Sequence, residues 1–339
     1  MKNLVFVITK SEIGGAQTWV YELTKLLSEQ YNIYLITSSE GWLTDKYPNN
    51  NVSIIPSLAK MSGFTSIYHI SRELRRFRAD IVISSSANAG IFSRLSKLFY
   101  KHKHIYVSHG WSCIYNSGKF KKVLCMIERG LSMLADKVLC VSDGDLEKAR
   151  SIIRIDKKKL VVIRNSISPL PVKEITHLPL KIVFVGRMTY PKRPELLAEV
   201  VAENKFVELY FVGGGEYLSD LITRFKHCDN IFFAGEVPEF NNYFEYDIFA
   251  LCSDSEGLPM SAIEAGSSGL PLLLSDVGGC RELIFDGLNG IVYQNSKESL
   301  SYALQKIVNN YDEYRKNASF VMCEFDINRN KQNYIDLIG

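Results

Sequence analysis

The stretch from Ser253 to Gly279, SDSEGLPMSAIEAGSSGLPLLLSDVGG, constrains this chain more than any other. The largely apolar run Asp247 to Cys252 precedes it and is short enough for a buried strand. Pro259 suits the first turn of a helix, a helix-forming run continues to Ala265, and Gly266 and Gly269 mark its end. Leu270 to Leu274 then predicts a second strand. The order is strand, tight glycine turn, helix, strand. Such a turn leaves backbone N–H groups at the helix start, and with the helix dipole they form a seat for a phosphate or diphosphate. Glu264 falls five residues beyond Pro259, roughly 7–8 Å along the helix at ~1.5 Å per residue. A carboxylate at that height suits the two hydroxyls of a ribose. Glu256 stands in the turn itself, near whatever hangs from the distal phosphate. The spacing therefore suits a nucleotide-sugar.

The second half holds more of the same grammar. Lys181–Val185 reads as a strand leading into Gly186-Arg187, with Lys192 before the next helix. Two cations there suit a diphosphate leaving group, whose charge grows as the sugar bond breaks. Leu209–Val212 ends in Gly213-Gly214-Gly215, and Ile231–Phe233 runs into Gly235-Glu236-Val237. In the first half, Leu4–Ile8 precedes Gly14-Gly15 and an amphipathic segment from about Ala16 to Glu29. That spacing is not the G-x-G-x-x-G of a dinucleotide site. Short apolar runs alternate with helical segments throughout, which predicts parallel, doubly wound sheets. Ligands bind such sheets at the carboxyl ends of strands, and His109 follows the strand His104–Ser108 there.

Glu256, Gly-Leu-Pro, Glu264 and the Gly278-Gly279 turn, with Arg187 and Lys192 upstream in the right order, resemble glycosyltransferase family 4. The resemblance spans nearly the whole chain. It implies the α/β GT-B fold, two Rossmann-like domains facing each other across a cleft, and retaining transfer from a nucleotide-sugar, expected to be a UDP-sugar. It also implies the site roles. Arg187, Lys192 and the amides of Gly257 and Leu258 hold the diphosphate, with the Gly14-Gly15 loop approaching it. Glu264 holds the ribose, Gly213 and Val237 lie near the nucleotide, and His109 and Glu256 orient the sugar. No Asp-x-Asp or His/Cys cluster is present, so neither an essential metal nor another cofactor is expected. Residues 1–168 are expected to form the acceptor-side domain, rejoined by a C-terminal crossover over about 322–339. Residues 169–179, rich in proline, read as a linker, and 180–321 as the nucleotide-sugar domain.

Composition adds one asymmetry. Residues 1–165 hold 25 Lys+Arg against 13 Asp+Glu, a net of +12, whereas 166–339 hold 15 against 24, a net of −9. Between Asp80 and Glu128 there is no acidic residue, while Arg94, Lys97, Lys101, Lys103, Lys119, Lys121 and Lys122 alternate with aromatics such as Phe99, Tyr106, Trp111, Tyr115 and Phe120. The interval 94–122 therefore predicts contact with an anionic membrane surface rather than nucleic acid. With no apolar run of ~20 residues and seven scattered cysteines lacking any C-x-x-C, the chain reads as cytoplasmic and peripheral on the inner membrane face. The expected acceptor is a lipid-linked saccharide of surface-polysaccharide assembly. A sugar-nucleotide epimerase of the same fold and a nucleotide-sugar-binding scaffold fit the same residues.

Overall fold

The structure is a computed structural model that describes the backbone of residues 1–115 and 118–339, and all their side chains except those of Tyr115 and Lys119. Those two members of the basic, aromatic interval therefore lie outside the described side chains. The chain divides into two compact units, Met1–Asn165 with Ile327–Gly339, and Ser166–Asp326.

The first unit is a seven-stranded parallel sheet. Its strands are β1 (Lys2–Ile8), β2 (Tyr31–Thr37), β3 (Val52–Ile54), β4 (Ile81–Ser85), β5 (Lys103–Ser108), β6 (Lys137–Cys140) and β7 (Leu160–Val162), in the order β3-β2-β1-β4-β5-β6-β7. The helices are α1 (Gly15–Leu27), α2 (Thr65–Arg76), α3 (Ala87–Ser96), α4 (Ser112–Tyr115), α5 (Lys121–Ser132) and α6 (Asp143–Lys148). β1 and β4 are buried along nearly their whole length, as strands covered on both faces must be. Ser142 caps α6 by accepting a hydrogen bond from Asp145 N at 3.1 Å.

The second unit is a six-stranded parallel sheet of β8 (Leu180–Val185), β9 (Val207–Val212), β10 (Ile231–Gly235), β11 (Ile248–Leu251), β12 (Leu272–Ser275) and β13 (Gly290–Tyr293), ordered β10-β9-β8-β11-β12-β13. Its helices are α7 (Pro194–Ala202), α8 (Leu218–Phe225), α9 (Met260–Ser267), α10 (Lys297–Asn309) and α11 (Tyr311–Val321). The last helix, α12 (Lys331–Ile338), belongs again to the first unit, where Tyr334 accepts a hydrogen bond from Trp19 Nε1 at 3.2 Å.

Two expectations change here. The segment 169–179, read as a linker, is built into the second unit. Asp247 is fully buried just before β11, and its two oxygens need partners. They take Lys173 Nζ at 3.0 Å, His177 N at 3.1 Å and Nδ1 at 3.0 Å, and Lys181 N at 2.8 Å. Arg94, expected on a basic surface, is fully buried. It forms a two-pronged ion pair with Glu128, stacks over Tyr106 at 4.0 Å and leaves no charge for a partner. Tyr106 and Trp111 are core residues of the same unit.

Three histidines of the first unit are neutral groups, His102 and His104 in the interior and His109 part-buried with its Nε2 turned inward. Burial lowers the pKa of His102 and of His109 to about 4, and that of His104 well below its usual value. Their folded-state pKa values lie under the unfolded value, so the unfolded chain binds protons first on acidification. Stability is therefore full above about pH 6.5 and declines as pH falls toward 4, by on the order of 1–2 kcal/mol at pH 5 from His102 alone. All three tryptophans (Trp19, Trp42 and Trp111) lie in this unit, so urea titrations followed by tryptophan fluorescence read its unfolding. The midpoint should drop between pH 7 and pH 5, and less so in His104→Gln.

Candidate functional site

In an open parallel sheet, ligands seat where the strand order reverses, beyond the carboxyl ends of the two strands that part there. In the second unit those strands are β8 and β11: β8 connects through α7 toward β9, and β11 through α9 toward β12. The loops leaving β8 and β11 are stitched together. Arg193 N donates to Cys252 O at 3.0 Å, Asp254 N donates to Pro191 O at 2.8 Å, and Lys192 bridges Ser253 in antiparallel fashion. Lys192 Nζ lies 2.6 Å from Glu256 Oε1, an ion-pair contact outside good hydrogen-bond angles. Both side chains are mostly buried, so the pair is shielded and holds its geometry better than surface pairs do. Arg187, five residues earlier in the same loop, is exposed and makes no ion pair or hydrogen bond among the described residues.

The helix behind Glu256 begins as its sequence requires. Pro259 occupies the cap position with extended geometry and supplies no side-chain acceptor, so the cap residue's side chain takes none of the first-turn N–H groups of α9. The turn from Glu256 to Leu258 is held from behind by the loop after β12. Gly279 N donates to Gly257 O at 2.7 Å. Gly278 has a φ of +55°, and a Cβ there would stand 1.8 Å from Glu256 O. Only glycine permits that approach. Below it runs a partly buried polar chain: Ser253 N donates to Ser275 Oγ (2.9 Å), Ser275 Oγ to Asn295 Oδ1 (2.6 Å), and Asn295 Nδ2 to Ser253 O (2.7 Å).

Glu264 rises from α9 as its spacing predicts. Its Oε2 accepts a hydrogen bond from Tyr243 OH at 2.5 Å. Tyr243 is fully buried, and burial together with the Glu264 charge raises its pKa well above the usual value, so it stays a donor. Sequence reasoning missed Tyr243, because a partner 21 residues away leaves no local signature. Gly213 serves packing: at φ +134°, a Cβ would lie 2.1 Å from Gly186 O, and Gly213 N donates to Gly235 O at 2.7 Å. Val237 is exposed just past β10.

In the first unit the corresponding reversal lies between β1 and β4. Gly14 caps α1 without a side-chain hydrogen bond, and Gly15 is its first residue. Ser86 follows β4 in a strained backbone with φ +85° and holds Thr9 Oγ1 at 2.7 Å. Strain of this kind gathers at functional positions, and only the serine run Ser84–Ser86 hinted at it in the sequence. His109 follows β5, its ring edge-to-face with Trp19 at 5.3 Å. Its Nε2 is buried and unpartnered among the described residues, although the residue as a whole is only part-buried.

This chain matches two family models in succession, "Glycosyltransferase Family 4" over residues 13–169 and "Glycosyl transferases group 1" over 171–319. It is 47% identical over 338 residues to the O-antigen biosynthesis glycosyltransferase WbnH of Escherichia coli, covering 100% of this chain and 99% of that protein. The chain belongs to glycosyltransferase family 4. A further relative of this glycosyltransferase, the UDP-Gal:alpha-D-GlcNAc-diphosphoundecaprenol alpha-1,3-galactosyltransferase of Escherichia coli, is 26% identical over 332 residues, 87% of this chain and 84% of that one. The glycosyltransferase shares its fold with Anabaena HepE in complex with UDP and glucose, at a TM-score of 0.84 and 15% identity over 99% of each chain. Its two Rossmann-like parallel-sheet units are those of the GT-B fold. Among its described residues no group of three or more His, Cys, Asp or Glu is placed to hold a metal ion.

Gly278→Ala tests the support of the turn. A left-handed alanine costs about 1–2 kcal/mol, and its methyl displaces the Glu256 carbonyl. Amide exchange over residues 253–259 should quicken while the rest of the second unit is unchanged. Unaltered exchange there would show that the close approach does not matter.

Proposed function

We propose that this enzyme of polysaccharide biosynthesis is a retaining glycosyltransferase that moves a hexose or N-acetylhexosamine from a UDP-sugar to a lipid-linked saccharide at the cytoplasmic face of a membrane. The carrying observation is the junction of β8 and β11, where a shielded Lys192–Glu256 pair, the uncapped start of α9 and a tyrosine-held Glu264 lie on neighbouring elements. Two relatives favour this reading by their names: one is an O-antigen enzyme, and the other takes a UDP-sugar and a diphosphoundecaprenol-linked acceptor.

In this reading the diphosphate lies at the start of α9, met by the N–H groups of Gly257 and Leu258 and by Lys192 and Arg187. Glu264 accepts hydrogen bonds from the ribose hydroxyls, with Tyr243 fixing the carboxylate so that little ordering remains to be done on binding. Gly213 and Val237 border the nucleotide, and Glu256 orients the sugar. His109 is neutral at physiological pH, which suits a hydrogen bond to an uncharged sugar hydroxyl. The Gly14-Gly15 backbone suits close approach by the diphosphate. As the bond from sugar C1 to the phosphate oxygen breaks, the acceptor oxygen bonds to C1 on the same face and its proton passes to the departing phosphate. The cations stabilise charge that develops only in that transition state, which is where stabilisation raises rate. No metal or other cofactor is required by this scheme.

Removing a carboxylate that accepts two hydrogen bonds costs roughly 1.5–3 kcal/mol, or about 10- to 100-fold in affinity. Glu264→Ala should therefore weaken UDP binding by that factor in calorimetry, and Tyr243→Phe by less. Mass spectrometry of products from a panel of UDP-sugars and polyprenyl-diphosphate-linked saccharides decides the reaction. A glycan longer by one sugar, with the anomeric configuration of the donor, is expected. Free UDP with an isomerised sugar and no extended acceptor would replace this reading with that of an epimerase.

A further inference from the structure

Helix α5 turns its apolar side outward. At about 100° per residue, Phe120, Val123, Leu124, Met126, Ile127 and Met133 share an arc of about half the helix circumference, and all six are exposed, Phe120 at 70% and Met126 at 67%. Only Cys125 and Ser132 of α5 are fully buried, on the opposite side. A helix packed on a soluble protein ordinarily shows the reverse pattern. Lys121 stands at one margin of the apolar arc and Lys122 and Arg129 at the other. Glu128, the single acidic residue of the helix, is consumed by the buried Arg94. That pair fastens the inner side of α5 to α3, so the outward face is presented by a fixed element. Leu98 and Phe99, just past α3, are also exposed, with Lys101 beside them.

We infer that α5 is an interfacial helix: its outward face embeds among the lipids of an anionic membrane while its cations meet the headgroups. A broad apolar arc bracketed by lysine and arginine is the pattern of helices that lie in the plane of a bilayer surface. The charge identifies the occupant, because the sequence from Ile81 to Ile127 has no acidic residue to repel anionic lipid. No described helix is long and apolar enough to cross the membrane, so attachment through α5 is monotopic. The inference rests on the reading of a lipid-linked acceptor and assigns the contact to apolar burial by α5 rather than to charge along 94–122 alone.

The full chain is sedimented with vesicles of phosphatidylethanolamine and phosphatidylglycerol at low and high salt. Val123→Glu/Ile127→Glu should lose about tenfold or more of vesicle binding at both salts, whereas Lys121→Ala/Lys122→Ala should lose binding mainly at low salt. Met126→Trp should show blue-shifted emission on vesicles and quenching by brominated lipid. Both pairs of variants should transfer sugar to a water-soluble acceptor analogue at the wild-type rate. Undiminished binding of the glutamate variant, an unshifted Met126→Trp spectrum, or a stable dimer in sedimentation that the glutamate variant breaks would overturn the inference. Absence of transfer by every protein, with vesicle binding intact, would instead overturn the proposed reaction.

Discussion

The second unit depends on two loops being held edge to edge beyond β8 and β11. Parallel strands that diverge leave their following loops without ladder partners, and buried backbone groups must be satisfied. Here each loop satisfies the other, through Arg193 N to Cys252 O and Asp254 N to Pro191 O. Those bonds fix the position of Lys192 relative to Glu256, whose contact at 2.6 Å would otherwise cost the ordering of two flexible side chains. The cation and the carboxylate are thus placed by backbone, and their geometry precedes any ligand.

Glycine makes that closeness possible. Gly213 and Gly278 hold left-handed backbone with a neighbouring carbonyl where a side chain would be, so the loop after β9 closes on that after β8, and the loop after β12 on that after β11, with no side chain at either point of contact. Behind these loops the sites for side-chain function are fixed by half-buried hydrogen bonds, Tyr243 to Glu264 and Ser275 through Asn295 to Ser253. Such networks are rigid when every member is partnered.

Much of this was legible in the sequence, for local reasons. The strand-glycine-helix order around Glu256 and the helical rise to Glu264 depend on residues within a dozen positions, and α9 and its flanking strands formed where those residues indicated. The fold class followed from the same local alternation. What escaped were contacts of long sequence separation. Nothing near Arg94 announces Glu128, 34 residues on, which turns an apparent surface cation into a core one. Residues 169–179 look like a linker until the buried Asp247 is seen to gather Lys173 and His177 onto the second unit. The outward apolar face of α5 was hidden too, because apolar spacing reveals that a helix has a greasy side and not which way that side points.

The measurement closest to the central claim is a crystal structure of the chain with UDP. The account predicts the diphosphate at the start of α9 within hydrogen-bond reach of the Gly257 and Leu258 amides and Lys192, and both ribose hydroxyls on Glu264, with Tyr243 still bonded to that carboxylate. A nucleotide bound elsewhere, or a ribose turned away from Glu264, would contradict it.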